Sequence, residues 1–206
     1  MNPTVDALRA TFGAAIGRAA VARDGETVVV LRAERLRDVM QWLRDTAGQH
    51  YDYLVDITAI EYRDGERPLE VVYFLRALER RVDLRVKVEL DAAGTLAVDS
   101  VTPLWNGANW LEREVYDMFG ITFRGHPDLR RILMWETYAE GHPLRKDFPL
   151  RGRFSRAEQV HQALTANPEA HYSMEELSLA EAYQELPGDM KDRLRKGERG
   201  KIPHSE

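Results

Sequence analysis

Cysteine is absent from these 206 residues, and that absence removes several chemistries at once. The chain cannot form a disulfide, hold a cysteine-ligated iron–sulfur cluster or build a Cys-based zinc site. A cysteine-free chain also fits a reducing compartment. No apolar run approaches the roughly 18 residues needed to span a bilayer, so there is no direct membrane span and any membrane association is expected to be indirect. Missing too are the G-x-G-x-x-G and Walker phosphate loops, the G-x-S-x-G elbow and a His-Glu-x-x-His helix. Basic charge is in deficit: 29 Lys and Arg against 34 Asp and Glu leave a net charge of -5, the wrong sign for a general nucleic-acid binder. The N-terminus has no signal-peptide apolar core. Arg9, Arg18 and Arg23 among alanines resemble an organellar presequence, but Asp6 interrupts it, and an ordinary amphipathic first helix is the better reading.

What is present is a globular composition, 44% hydrophobic and 31% charged with a mean hydropathy of -0.47, enough for one substantial core. Val5, Leu8, Phe12 and Ile16 recur at helical spacing and predict a first helix of about four turns. Thr27 to Leu31 is β-branched and reads as a strand. A second helix is expected from Glu34 to Ala47, stopped by Gly48. Tyr51 to Tyr62 and Leu69 to Leu78 read as strands around a turn at Arg63 to Glu66. In Val82 to Leu90 apolar and charged residues alternate without a break, predicting one buried and one wet face. After a turn at Asp91 to Gly94, Thr95 to Val101 reads as a further strand. The fold class that follows is α+β, a mostly antiparallel β-sheet with helices packed on it.

A helix is expected from about Asn106 to Phe119, ended by Gly120 in a left-handed cap. Its apolar arc holds Ala108, Leu111, Val115, Met118 and Phe119, with Glu112 and Glu114 flanking it. Arg113 and Asp117 lie opposite, one turn apart, and read as an ion pair, with Trp110 beside them. A tryptophan on a polar face predicts a cover, either the 141–150 loop or another protein. Paired carboxylates can do acid–base work, but no nucleophile accompanies these, so a charge-paired helix face is the preferred reading.

Two Gly-His-Pro tripeptides follow, Gly125-His126-Pro127 and Gly141-His142-Pro143. Proline forces the preceding histidine into extended backbone, and glycine permits a sharp entry. They read as structural corners whose imidazoles bond to backbone, rather than as a metal or proton-transfer pair. Arg145, Lys146 and Asp147, held between Pro143 and Pro149, read as a stiff, charged docking loop. The basic run Arg145, Lys146, Arg151, Arg153 and Arg156, interleaved with Phe148 and Phe154, superficially resembles a single-strand nucleic-acid surface. An acidic block downstream favours a protein partner instead. Charge is blocky here: +4 over 145–156, -5 over 168–186 and +4 over 191–201. Ser155-x-x-Glu158 and Ser173-x-x-Glu176 match the capping box, so short helices are expected within it. Two parts are therefore expected, an α+β domain over 1–150 and an extended C-terminal tail over 151–206 that binds a partner.

Glu112-Arg113-Glu114-x-x-Asp117-Met118-Phe119, then His126-Pro127 and Arg130-Arg131-Ile132-Leu133, resembles the signature of the 30-kDa subunit of NADH–quinone oxidoreductase, respiratory complex I. Gly141-His142-Pro143-Leu144-Arg145-Lys146-Asp147-Phe148-Pro149-Leu150 is similarly typical of that family, as are Tyr53 to Thr58 and Trp105 to Trp110. The resemblance spans about Leu31 to Leu150. It implies a non-catalytic subunit of the peripheral arm of a proton-translocating enzyme, held on the cytoplasmic side of the bacterial inner membrane. It implies no catalytic, cofactor-binding or metal residues in this chain. FMN, iron–sulfur clusters and quinone would be bound by other subunits, and the chief partner would be the homologue of the 49-kDa subunit. Relatives in membrane-bound hydrogenases and ferredoxin-dependent complexes form the alternative. Two rivals from other classes are a metal-dependent enzyme using His126, His142, Glu112 and Glu114, and a nucleic-acid adaptor using the basic loop.

Overall fold

The computed structural model describes residues 3–21, 27–62, 69–90, 94–150 and 152–166, with residues 188 and 191. Strand β5 (Val82–Leu90) organises the main sheet. On one side it pairs antiparallel with β4 (Leu69–Ala77), in unbroken register from Leu69↔Leu90 to Ala77↔Val82. β4 in turn pairs antiparallel with β3 (Tyr53–Ile60). On its other side β5 takes β2 (Thr27–Leu31) in parallel, and β2 carries β1 (Ile16–Val21) antiparallel. The order is β1-β2-β5-β4-β3, so one of the four pairings is parallel and the sheet is mostly antiparallel as expected.

One face of this sheet is the core. Leu84, Val86, Val88 and Leu90 of β5 and Leu69, Val71, Tyr73 and Leu75 of β4 are buried in one cluster with the helices. The helical contributions are Val5 and Leu8 from α1 (Pro3–Phe12) and Leu36, Val39, Met40 and Leu43 from α2 (Leu36–Asp45). Val115, Met118 and Phe119 come from α3 (Ala108–Phe119). Burying each such side chain contributes about 1.5–3 kcal/mol, which is why the alternation in β5 is so strict.

Three expectations need correction. The opposite face of β5 is wet at Glu89 but only partly so elsewhere. Asp83, Arg85 and Lys87 are half-buried because they are engaged across the sheet. Arg76 bonds Asp83 at 2.6 Å, Lys87 bonds Glu70 at 2.6 Å, and Arg85 lies 5.6 Å from the Phe74 ring centre. The first helix does not reach Ile16: it stops at Phe12, Gly13 turns to φ +49°, and a single 3-10 turn hands Ile16 to β1. The strand expected over 95–101 shrinks to β6 (Ala97–Asp99). It pairs in parallel with β7 (Thr122–Arg124) in a second, two-stranded sheet. In sequence α3 lies between the two strands of that small sheet.

The chain divides into two units, Met1–Arg153 and Phe154–Glu206. In the second, α4 (Arg156–Ala166) begins as its capping box predicts: the Ser155 hydroxyl accepts the Glu158 N–H at 3.2 Å. The turn at 63–66, residues 91–93, the Ser173 box and the charge blocks beyond 167 lie outside the described residues.

Candidate functional site

Every sequence-predicted site residue lies on or after α3, and the helix buries two carboxylates five positions apart. On one side is Glu112, fully buried. Its Oε1 accepts the Val101 N–H at 2.7 Å and its Oε2 accepts the Ser100 hydroxyl at 2.7 Å. No cation pairs with it among the described residues, so the charge-paired face expected here is wrong for Glu112. Burial pushes its carboxyl up to about 7, against the Ser100 and Val101 bonds that favour the ionised form. The hydroxyl of Tyr73 is buried without a partner, and desolvation and the charges of Glu112 and Asp99 hold that phenol well above its ordinary range.

On the other side is Asp117, also fully buried. Its Oδ2 accepts three successive backbone N–H groups, Ile132 at 3.1 Å, Leu133 at 2.9 Å and Met134 at 2.8 Å. Its Oδ1 accepts Arg131 at 2.5 Å. Burial alone would raise this carboxyl, but the Met134 N–H, Arg131 and the Ile132 and Leu133 N–H groups outweigh it and hold it below the usual range. Consecutive amides converging on one anion form a nest, here filled by the protein's own carboxylate.

Arg113 is not Asp117's partner, as its helical spacing suggests. It is nearly fully buried and donates to two backbone carbonyls, Arg130 at 3.1 Å and Arg131 at 2.9 Å. Asp117 takes the amides and Arg113 the carbonyls of the same 130–134 strap, so the two residues lash it to α3 from opposite polarities. Glu114 faces solvent and Phe119 enters the core.

Both Gly-His-Pro corners use their imidazoles on backbone, as expected. His126 Nδ1 accepts the Asp128 N–H at 3.0 Å, which leaves Nε2 to donate to the Asn109 carbonyl at 3.1 Å. His142 Nδ1 donates to the Asp117 carbonyl at 2.9 Å. The second corner thereby completes the end of α3. Of its last free carbonyls, Tyr116 is taken by the Gly120 N–H, Asp117 by His142 and Arg131, and Met118 by the Leu144 N–H at 3.0 Å. Gly120 has φ +76°, and a Cβ there would fall 2.6 Å from the His142 ring, so glycine is required twice over.

The charged loop is also tied to its own domain. Arg145 is mostly covered and lies 3.5 Å from Glu61, and the Lys146 N–H bonds the same carboxylate at 2.8 Å. The Lys146 and Asp147 side chains and Pro149 stay outward. Pro127 and Arg130 are exposed, Arg130 pairing with Asp128 at 2.8 Å, and Pro143 is half-covered. Four large apolar side chains remain exposed in this region: Trp110 at 60%, Leu133 at 61%, Leu144 at 50% and Leu150 at 103%. Arg113 and Asp117 are thus covered mainly by the 130–134 strap, not by the 141–150 loop expected, and Trp110 stays open. The Trp110 ring has the Arg113 guanidinium 5.5 Å from its centre.

The structure does not gather His126, His142, Glu112 and Glu114 into one centre, since three of them are spent on separate hydrogen bonds. No group of three His, Asp or Glu suited to a metal occurs among the described residues. Sequence reasoning missed the parts of Ser100, Val101, Asn109 and Glu61, whose contributions are a hydroxyl, two backbone groups and a carboxylate. No described helix is long and apolar enough to cross a membrane.

The fold and the sequence both have counterparts among known proteins. A chain described as Nqo5, from a trypsin-resistant fragment, matches with a TM-score of 0.53 at 32% identity, covering 62% of this chain and 97% of that one. A chain of an archaeal membrane-bound sulfane sulfur reductase shares the fold with a TM-score of 0.59 at 21% identity, covering 72% of this chain and 85% of its own. An NADH-quinone oxidoreductase subunit of Citrifermentans bemidjiense is 45% identical over 128 residues, covering 62% of this chain and 77% of its own. Its namesake in Geobacter metallireducens is 41% identical over 152 residues, covering 73% and 91%. The family model of the respiratory-chain NADH dehydrogenase 30 kDa subunit matches residues 29–154, which takes in the sheet from β2 onward, both buried carboxylates and both Gly-His-Pro corners. The chain belongs to the respiratory-chain NADH dehydrogenase 30 kDa subunit family.

Proposed function

We propose that this chain is a non-catalytic structural subunit of the peripheral arm of proton-translocating NADH–quinone oxidoreductase, bracing the quinone-reducing module next to the 49-kDa subunit homologue on the cytoplasmic side of the bacterial membrane. The observation that carries the reading is how the signature residues are spent. Glu112, Arg113, Asp117, His126, Arg131 and His142 each hold backbone in place, and none is left aimed at a substrate. A stiffened strap whose polar groups are satisfied internally, with Trp110 and Leu133 left outward, is a surface prepared for a protein neighbour. The relatives, named as subunits of NADH-quinone oxidoreductase, supply the parent complex. Residues 151–206 serve as the partner-binding tail of this reading, beyond the 1–150 domain, and FMN, iron–sulfur clusters and quinone belong to other subunits.

The test is purification of the tagged chain from its native membrane with identification of what co-elutes. The 49-kDa homologue should be recovered in stoichiometric amount, and Trp110→Glu should reduce that recovery while leaving the chain folded. Recovery of the chain alone, or with stoichiometric flavin or metal bound to it, would overturn the proposal. Co-elution with hydrogenase subunits in place of an NADH-oxidising module would move it to the related complexes.

A further inference from the structure

Glu112 is the one described carboxylate that combines full burial with no cationic partner, and its surroundings form an ordered chain of oxygens. Ser100 Oγ lies 2.7 Å from Glu112 Oε2, and Thr102 Oγ1 lies 2.7 Å from Ser100 Oγ. The Thr102 N–H donates to Ser100 Oγ at 3.1 Å, and the Val101 N–H holds Glu112 Oε1. Ser100 and Glu112 are buried, whereas Thr102 is half-exposed, so the chain runs from the interior to solvent.

The donors and acceptors of this chain balance in two arrangements of protons on one set of heavy atoms. With Glu112 protonated, Oε2–H donates to Ser100 Oγ, whose own hydroxyl donates to Thr102 Oγ1. With Glu112 ionised, Thr102 Oγ1–H donates to Ser100 Oγ, which donates to Oε2. In both, Ser100 uses its single donor and both acceptor sites, counting the Thr102 N–H. Passing from the first to the second breaks the Oε2–H bond and forms one on Ser100. The former Ser100 proton moves to Thr102, and the former Thr102 proton leaves to water. One proton is released and no heavy atom has to move.

We propose that Glu112, Ser100 and Thr102 form a proton-exchange site, with Glu112 as the buried carrier and the two hydroxyls as its path to the surface. The groups around it leave it the titrating member. Tyr73 of β4 is a buried phenol held far above the neutral range, and Asp99 of β6 is ion-paired to Arg124 of β7 at 2.8 Å. Arg44 of α2 spends its guanidinium on the Leu104 carbonyl and Asp45. From β3 the core-facing Ile57 and Ala59 are apolar, and on α3 itself Ala108 and Val115, one turn away on either side, are apolar too. The carboxyl's elevation to about 7 puts exchange near neutral pH.

The experiment uses the full chain with isotope-labelled glutamate, reading the protonated carboxyl stretch by infrared difference spectroscopy. A band titrating with a midpoint about 7, absent from Glu112→Gln, is expected. Its hydrogen–deuterium exchange should slow by about tenfold or more in Thr102→Val and in Ser100→Ala, because the relay is cut. Thr102→Val changes a half-exposed side chain and serves as the deciding variant if Ser100→Ala does not fold. A band that does not titrate near neutral pH overturns the carrier, and wild-type exchange in Thr102→Val overturns the path.

Discussion

The two sides of α3 bury one carboxylate each and treat it in opposite ways. Asp117 receives an arginine and three backbone amides and is held ionised. Glu112 receives one hydroxyl and one amide and is pushed toward its protonated form. Exclusion from solvent alone therefore does not set the protonation state; how deeply the carboxyl is packed and the number and charge of its donors set it together. The Asp117 side is built as a rigid clamp on the 130–134 strap, and the Glu112 side as a contact that tolerates loss or gain of a proton.

The largest test of this contrast is Asp117→Ala. It strands Arg131 and three amide groups in a dry pocket, and should cost about 3–5 kcal/mol in denaturant unfolding. A loss under about 1 kcal/mol would mean that the strap finds water or other partners and is no clamp. Next comes pH. Asp117 has its folded pKa below its ordinary value, so its contribution is present above the usual carboxylate range and disappears as pH falls through the depressed value. Glu112 has its folded pKa above its ordinary 4.5, so its contribution is full below that value and is lost as pH rises through about 7. Between those limits wild-type stability should fall by up to roughly 3 kcal/mol on account of Glu112, and Glu112→Gln should flatten that slope. A slope that survives the substitution would assign it to another group.

Arg113→Ala sharpens the contrast further. Losing two bonds to buried carbonyls should cost about 2 kcal/mol, and a double-mutant cycle should show Asp117 coupled to Arg131 by about 0.5–3 kcal/mol but far more weakly to Arg113. Strong Arg113–Asp117 coupling would restore the ion pair that helical spacing suggests. The smallest effect belongs to Trp110→Ala, which should change the free chain's stability by less than about 0.5 kcal/mol, because the ring is mostly exposed. Its consequence should appear only in recovery of partner subunits from the assembled complex.

Much of this was readable beforehand where the signal is local. The alternation in Val82–Leu90, the Gly120 stop and the Ser155 cap depend on neighbours a few residues away, and the Gly-His-Pro tripeptides were legible as corners although their imidazoles reach carbonyls 17 and 25 residues back. The misses depend on residues far apart. β1 is built from Ile-Gly-Arg-Ala-Ala-Val, a poor strand former, and exists because β2 offers it an edge. β7 spans three residues, too few for any period to show. The carboxylate of Glu112 finds its partners 11 and 12 residues upstream, in the connection after β6. Arg113 and Asp117 satisfy i,i+4 spacing, but with the base N-terminal to the acid, which is the weaker orientation. Both then found better partners in the strap.

The parallel pairing of β2 with β5 also sets a schedule for synthesis. Thr27–Leu31 leaves the ribosome long before its partner, since β5 is complete only 59 residues after β2, from Leu31 to Leu90. At about 5–20 residues per second that interval is roughly 3–12 s. Throughout it the run Thr-Val-Val-Val-Leu keeps one hydrogen-bonding edge open, even if β1 has already closed the other. An open apolar edge is a template for pairing with a second nascent chain. Until β5 arrives, the β1–β2 pair is therefore where a nascent copy of this chain is open to edge-to-edge pairing.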